Sequence, residues 1–221
     1  MKQALVIGHD HVAGLEHLGT DLERRGFLIS AFTVVPEDRF TRPDVVVTYP
    51  DPLAWDLVVT VGAPWPRSAI DGWARREVEF LARRHEHGRP TLGLCFGGQL
   101  LGEALGVATT PLPARRVGWH PVDPVVPEID AGPWFQWHAE QLTAPAGAEV
   151  LARSPDGVEA FCSGRSVALQ FHPEMTPRLL RRWLTLPGGH GLDDPDSLEA
   201  DTRRHADGAA RAARSLLDLL G

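Results

Sequence analysis

Positive charge, sulfur and long apolar runs are all scarce in this chain of 221 residues. Lys2 is the only lysine, and 22 basic residues stand against 29 acidic ones, a formal net charge of −7. A surface of that sign repels nucleic acid and anionic lipid, so neither is an expected partner. The reliance on arginine, with 19 prolines and 22 glycines, reads as genome composition. Two cysteines, Cys95 and Cys162, are too few for a disulfide framework and fit a reducing compartment. No stretch approaches the length of a membrane span. The apolar run at 4–7 is too short for a secretory signal. The expected location is therefore the cytoplasm. What remains, 43% hydrophobic and 23% charged residues, is ordinary globular composition, and the length suits one domain over residues 1–221.

The first half alternates strand and helix signals. Residues 4–7, 27–35, 56–61 and 91–94 are short apolar runs of the kind that form buried parallel strands. Between them, 12–25 places Leu15, Leu18 and Leu22 at helical spacing and stops at Gly26. Residues 70–87 and 97–105 predict further helices ended by Gly88 and Gly106. Such repeats imply an α/β fold with a mostly parallel central sheet flanked by helices. Ligands of these sheets sit beyond the carboxyl ends of the strands.

The second half is different. Residues 111–127 are proline-rich, with a short strand expected near 117–122. Strands are expected at 134–138, 149–152, 158–162 and 167–171, a small antiparallel portion with a turn at Ser163-Gly164-Arg165. Thr176 and Pro177 open a helix over 176–184 as N-cap and first residue. Residues 187–191 read as a glycine-rich loop, and 197–220 as a long C-terminal helix covering one sheet face.

The sharpest local signal is Gly93-Leu94-Cys95-Phe96-Gly97-Gly98-Gln99. An apolar strand runs into a cysteine with glycine two residues to either side, and a helix follows at once. This is the pattern of a nucleophile elbow, where larger neighbours would collide in the turn. The helix N-terminus beside the sulfur favours thiolate, the reactive form. Cys162 lacks flanking glycines of this kind and is assigned to packing. A second signal is Phe171-His172-Pro173-Glu174 at another strand end. The Glu174 carboxylate can reach one ring nitrogen of His172 and free the other to face the cysteine. Cys95, His172 and Glu174 together form a coherent nucleophilic set.

At these motifs the chain resembles the class I (triad-type) glutamine amidotransferases. Gly93, Cys95, Gly97 and Gln99 match the family's Gly-x-Cys-x-Gly-x-Gln pattern, and His172, Pro173 and Glu174 match its His-Pro-Glu pattern. The segment 135–140 is similar to the family's middle block, and 56–64 to its strand ending in Gly-Gly-Pro. The likeness runs over about 4–183 and is nearest to stand-alone members similar to the amidotransferase part of GMP synthase. It implies a flavodoxin-like fold and a Cys95–His172–Glu174 triad. It implies an oxyanion hole from the backbone N–H groups of Ala63 and Phe96. It also implies substrate contacts from Gln99 and from the Ala139–Glu140 backbone. The chain departs from the common pattern at Ala63, Trp65 and Ala139, and Trp65 adds bulk near the pocket, where it is expected to contact substrate. The implied activity is hydrolysis of the glutamine γ-amide through a thioester, with ammonia passed to a separate synthetase and no metal or organic cofactor needed. Two other functions fit the residues: a stand-alone hydrolase of γ-glutamyl amides or peptides, and a catalytically idle regulatory subunit. Gly8-His9-Asp10-His11 follows the first strand and is expected near the active-site edge; its His and Asp residues lack the further ligands a metal site requires.

Overall fold

The computed structural model describes residues 1–187, 192 and 194–220. The expected loop at 187–191 lies outside the described residues from 188 onward. Four parallel strands carry the first half: β1 (Lys2–Gly8), β2 (Phe27–Thr33), β3 (Leu57–Thr60) and β4 (Thr91–Leu94). The helices between them are α1 (His17–Arg24) and α2 (Asp71–Glu86), and α3 (Phe96–Ala104) follows β4. The second half supplies β5 (Thr110–His120), β6 (Asp123–Pro124), β7 (Trp134–Gln141), β8 (Glu149–Ser154), β9 (Gly157–Ser163) and β10 (Ser166–Leu169). Two helices close the chain, α4 (Pro177–Leu184) and α5 (Pro195–Leu216).

Among the described residues the main sheet runs β2-β1-β3-β4-β10-β9-β8-β6. β10 pairs parallel with β4 and antiparallel with β9, so it joins the parallel half to the antiparallel half. β5 and β7 form a separate two-stranded sheet. The strand order 2-1-3-4, with β10 in the fifth place, is the flavodoxin-like winding. The order reverses at β1, so the carboxyl ends of β1 and β3 open a crevice there.

Period-2 alternation sorts the strand residues onto two faces. Ala4, Val6, Leu57, Val59, Val167 and Leu169 meet α1 and α5 in one core. Leu5, Ile7, Val58 and Ala168 meet Trp73, Phe80, Leu81 and Leu101 of α2 and α3 in the other. Each fully buried aliphatic or aromatic side chain contributes about 1.5–3 kcal/mol. Both faces are covered, which is why the central strands read as continuous apolar runs.

Three sequence expectations need correction. The helix expected over 12–25 begins only at His17. Asp10 Oδ1 accepts the N–H groups of Val12 and Ala13 at 2.7 and 2.8 Å, tying that stretch into a turn, and Glu16 has φ 46°. The strand expected near 117–122 is the longer β5, extended by its antiparallel partner β7, with an irregularity between Pro111 and Arg116. The helix expected over 197–220 starts at Pro195, capped by Asp194, and tightens to a 3₁₀ turn over Leu217–Leu220. The α4 expectation holds, with Thr176 Oγ1 accepting the N–H of Leu179 at 3.1 Å. Among the described residues no helix is long and apolar enough to cross a membrane.

Candidate active site

The carboxyl ends of β1, β3, β4 and β10 converge on one pocket of about 340 Å³. Its walls include Asp10, Gly62, Cys95 and His172, one from beyond each of those strands. The sequence places them there because each strand is followed by a turn that leaves the sheet.

Cys95 occupies the turn between β4 and α3, with φ 51° and ψ −109°. A side chain with φ in that range is strained, and non-glycine residues are held there only by their surroundings. Here the surroundings are visible. The Cys95 N–H donates to Leu169 O at 2.7 Å, and the Gly97 N–H donates to Val61 O at 2.9 Å, which tie the elbow to β10 and to the end of β3. A Cβ on Gly93 would lie 2.6 Å from Gly97 O, and one on Gly97 would lie 2.3 Å from Thr60 O. The Gly98 position would meet Leu169 O at 2.9 Å. Only glycine lets the helix start this close to three strands.

The Cys95 thiol is buried, with the Trp137 carbonyl and Gln170 Nε2 each 3.8 Å from Sγ. His172 sits just past β10, its N–H donating to Phe135 O at 2.8 Å. Its ring Nδ1 is 2.8 Å from Glu174 Oε1, and both side chains are almost fully buried. Nε2 is buried without a hydrogen-bond partner. A methyl placed on Gly62 would lie 3.0 Å from His172 Cε1 and 3.9 Å from Cys95 Cβ, so sulfur and imidazole flank the same glycine. Burial alone would lower the His172 pKa. Negative charge at Cys95 and Glu174, with the hydrogen bond to Glu174, outweighs it and raises the pKa to about 10. The arrangement therefore favours the protonated imidazole at His172. The ring is braced edge-on by Trp183, with centroids 4.9 Å apart.

The remaining expected residues also line the pocket. Ala63, Phe96, Gln99, Ala139, Glu140 and Trp65 are all on its wall. Among the described residues, no backbone hydrogen bond is made by the N–H of Ala63 or of Phe96. Gln99 Nε2 donates to the Glu140 carbonyl at 3.0 Å, and His138 Nδ1 is also 3.0 Å from that carbonyl. Burial lowers the His138 pKa to about 4, so this imidazole is neutral and Nδ1 donates. Trp65 turns its indole N–H to Phe40 O at 3.0 Å and stacks obliquely on the Phe40 ring. It is thus a wall of the pocket and a member of a small apolar cluster with Val12 and Leu186.

Sequence reasoning missed several neighbours. Gln170 bridges the site: its Oε1 accepts the Leu142 N–H at 2.7 Å while its amide nitrogen faces Cys95. The signal was there, an amide in an otherwise apolar run. Arg115 stacks over Trp137 at the pocket rim, and Trp183 closes the far wall. His9 lies beneath the pocket rather than in it, fully buried against Glu77. Cys162 is half-buried on β9, packed against the core, with its thiol donating to Gly164 O at 3.4 Å.

Fold and site together define a doubly wound α/β protein with a cysteine on a strand–helix elbow, beside a carboxylate-bonded histidine. Residues 51–184 match the family described as glutamine amidotransferase class-I, and the chain belongs to that family. It is similar to a GMP synthase (glutamine-hydrolyzing) of Aeropyrum pernix, with 32% identity over 136 residues, covering 52% of this chain and 25% of that protein. The chain thus spans a quarter of the length of that relative. It is also similar to the imidazole glycerol phosphate synthase subunit HisH of Methylococcus capsulatus, 29% identical over 180 residues, covering 64% of this chain and 80% of the subunit. A solved glutamine amidotransferase from Thermotoga maritima shares the fold at TM-score 0.81 and 22% identity, over 99% of this chain and 97% of that one.

Proposed function

We propose that this chain hydrolyses the γ-amide of glutamine, with Cys95 as nucleophile, His172 as acid and base, and Glu174 as the group that orients His172. The observation that carries this reading is the strained Cys95 elbow next to a buried His172–Glu174 pair whose outer ring nitrogen is unpartnered. The Cys95 thiolate adds to the carbonyl carbon of the γ-amide, and the amide oxygen becomes an oxyanion facing the N–H groups of Ala63 and Phe96. Donors of this kind are worth about 3–4 kcal/mol each. The carbon–nitrogen bond then breaks as His172 gives its proton to the departing nitrogen, which leaves as ammonia. A γ-glutamyl thioester remains. Neutral His172 takes a proton from water, the hydroxide adds to the thioester carbon, and glutamate leaves as the sulfur is restored. Gln99 and the Ala139–Glu140 backbone hold the amino-acid end of the substrate.

Relatives that are synthases or synthase subunits support an ammonia-consuming partner on a separate chain. A second reading, a hydrolase of larger γ-glutamyl amides, is favoured by one observation: the roughly 340 Å³ pocket is walled by Trp65, Trp137 and Trp183, room and apolar surface beyond what a free amide nitrogen uses. Both readings share the same chemistry at Cys95. Replacing Cys95 with Ala should abolish glutamate release, and wild-type turnover in that variant would rule the mechanism out. Comparing glutamine with a panel of γ-glutamyl amines, with and without candidate synthetases, separates the two readings. Faster turnover of the amines without any partner selects the second.

A further inference from the structure

A buried charged group beneath the pocket is not used by the mechanism above. His9, just past β1, and Glu77 of α2 are both completely buried. His9 Nδ1 lies 3.0 Å from the Gly62 carbonyl oxygen, and Nε2 lies 3.0 Å from Glu77 Oε2. Both neighbours are acceptors, so each ring nitrogen needs a proton. Glu77 accepts two further donors, Thr60 Oγ1 at 2.5 Å and the Tyr49 hydroxyl at 2.8 Å, as an ionised carboxylate does. Burial opposes charge on both groups, and mutual pairing overrides it: the His9 pKa is raised and the Glu77 pKa lowered. The imidazolium ring stacks on Trp73 at 5.1 Å and meets Phe96 edge-on at 5.3 Å.

A Cβ on Gly62 would lie 3.0 Å from His172 Cε1, so a larger residue there would push that ring back by a few tenths of an ångström. Glycine also makes the following peptide easy to rotate. That peptide joins the Gly62 carbonyl to the Ala63 N–H, and it is trans, so the two groups point opposite ways. Whatever holds the carbonyl inward turns the N–H outward, toward the pocket. We infer that His9 is a positioning residue: it pins the Gly62–Ala63 peptide so that the Ala63 N–H serves the oxyanion, and it braces Phe96, which carries the other donor. This inference rests on the hydrolase reading above. Glu77, Thr60 and Tyr49 act one step further back by keeping His9 doubly protonated and fixed.

The test compares two reactions of Cys95. Iodoacetamide alkylates a thiolate by direct displacement and forms no oxyanion, whereas γ-amide hydrolysis forms one. His9→Phe keeps the aromatic stack and removes the donor. It should lower kcat for γ-amide hydrolysis about a hundredfold, leave KM nearly unchanged, and leave the alkylation rate at Cys95 at the wild-type value. Unchanged kcat, or kcat and alkylation falling together, would overturn the inference. Should His9→Phe fail to fold with Glu77 left unpaired, the double variant His9→Asn/Glu77→Gln decides. It is neutral and returns an amide donor near the position of Nδ1. It should recover kcat to within about tenfold of wild type, and a loss of kcat matched by a loss of alkylation would again overturn the inference. Failure of the parent reading looks different: the wild-type chain would alkylate at Cys95 yet release no glutamate from any γ-amide, and the positioning role would go with it.

Discussion

Replacing Gly97 with Ala tests the elbow most directly, because the structure states what the added methyl would meet. Its Cβ would lie 2.3 Å from Thr60 O, 2.6 Å from Thr60 C and 2.9 Å from Thr60 Cγ2. Two of those atoms are backbone in a fully buried central strand, so no side chain can swing aside. Relief requires α3 to move off β3 by about 1 Å to restore van der Waals separation. Overpacking of this kind costs on the order of 3 kcal/mol. For a chain of this size each kcal/mol shifts Tm by about 2–4 °C, so Tm should fall by about 6–12 °C. Moving the start of α3 also moves Cys95 against His172, and a displacement of about 1 Å costs roughly a hundredfold in turnover. Differential scanning calorimetry gives the first quantity. Glutamate release, measured well below the variant's Tm, gives the second. Gly208→Ala is the control of opposite sign. Gly208 lies inside α5 on the exposed side, and a Cβ there would meet nothing nearer than Arg211 Nη2 at 3.9 Å. That change should stabilise by about 0.5–1 kcal/mol. Wild-type Tm and turnover in Gly97→Ala would refute the claim that close packing of glycine backbones sets the position of Cys95.

The His9–Glu77 pair predicts a pH window. The Glu77 pKa is lowered below its reference of 4.5, so its contribution to stability is present above that pH and is lost as pH falls through the folded value. The His9 pKa is raised above its reference of 6.5, so its contribution is complete below that pH and is lost as pH rises through the folded value. The pair is therefore at full strength between about 4.5 and 6.5, and urea unfolding of Glu77→Gln against wild type should show the largest difference there. A difference that does not vary with pH would contradict the pairing. Cys162→Ser should leave glutamate release unchanged, since that thiol is pushed up by burial and by Glu149 and lies outside the pocket. Mass spectrometry after brief iodoacetamide treatment at neutral pH should find Cys95 labelled ahead of Cys162. Thr176→Ala removes the acceptor for the Leu179 N–H and should cost about 1 kcal/mol, read as a Tm loss of about 2–4 °C with little change in KM.

Much of the site's geometry is legible in the sequence, because its determinants are local. Glycine two residues either side of Cys95 reflects collisions within one turn, and His172 and Glu174 are two residues apart, so steric and hydrogen-bond reasoning over a few residues finds them. The apolar runs of β1, β3 and β4 announce themselves for a similar reason: strands covered on both faces have no polar side to interrupt them. Where local reasoning misjudged an element, a distant or competing contact was responsible. The stretch 12–16 has helical spacing, but the Asp10 carboxylate captures its N–H groups first. β5 carries prolines and is extended only because β7, some twenty residues on, pairs with it.

The sequence alone determined the elbow, the histidine–carboxylate pair and the parallel winding, since each follows from spacing along the chain. Only the tertiary structure decided what surrounds them. His9 meets Glu77 across 68 positions, Gln170 meets Cys95 across 75, and the pocket takes walls from four strand ends at once. Such contacts carry no periodic or steric trace in the neighbouring residues. They exist because burial in a shared, dry space makes each polar group find a partner, and which partner it finds is set by how the sheet winds.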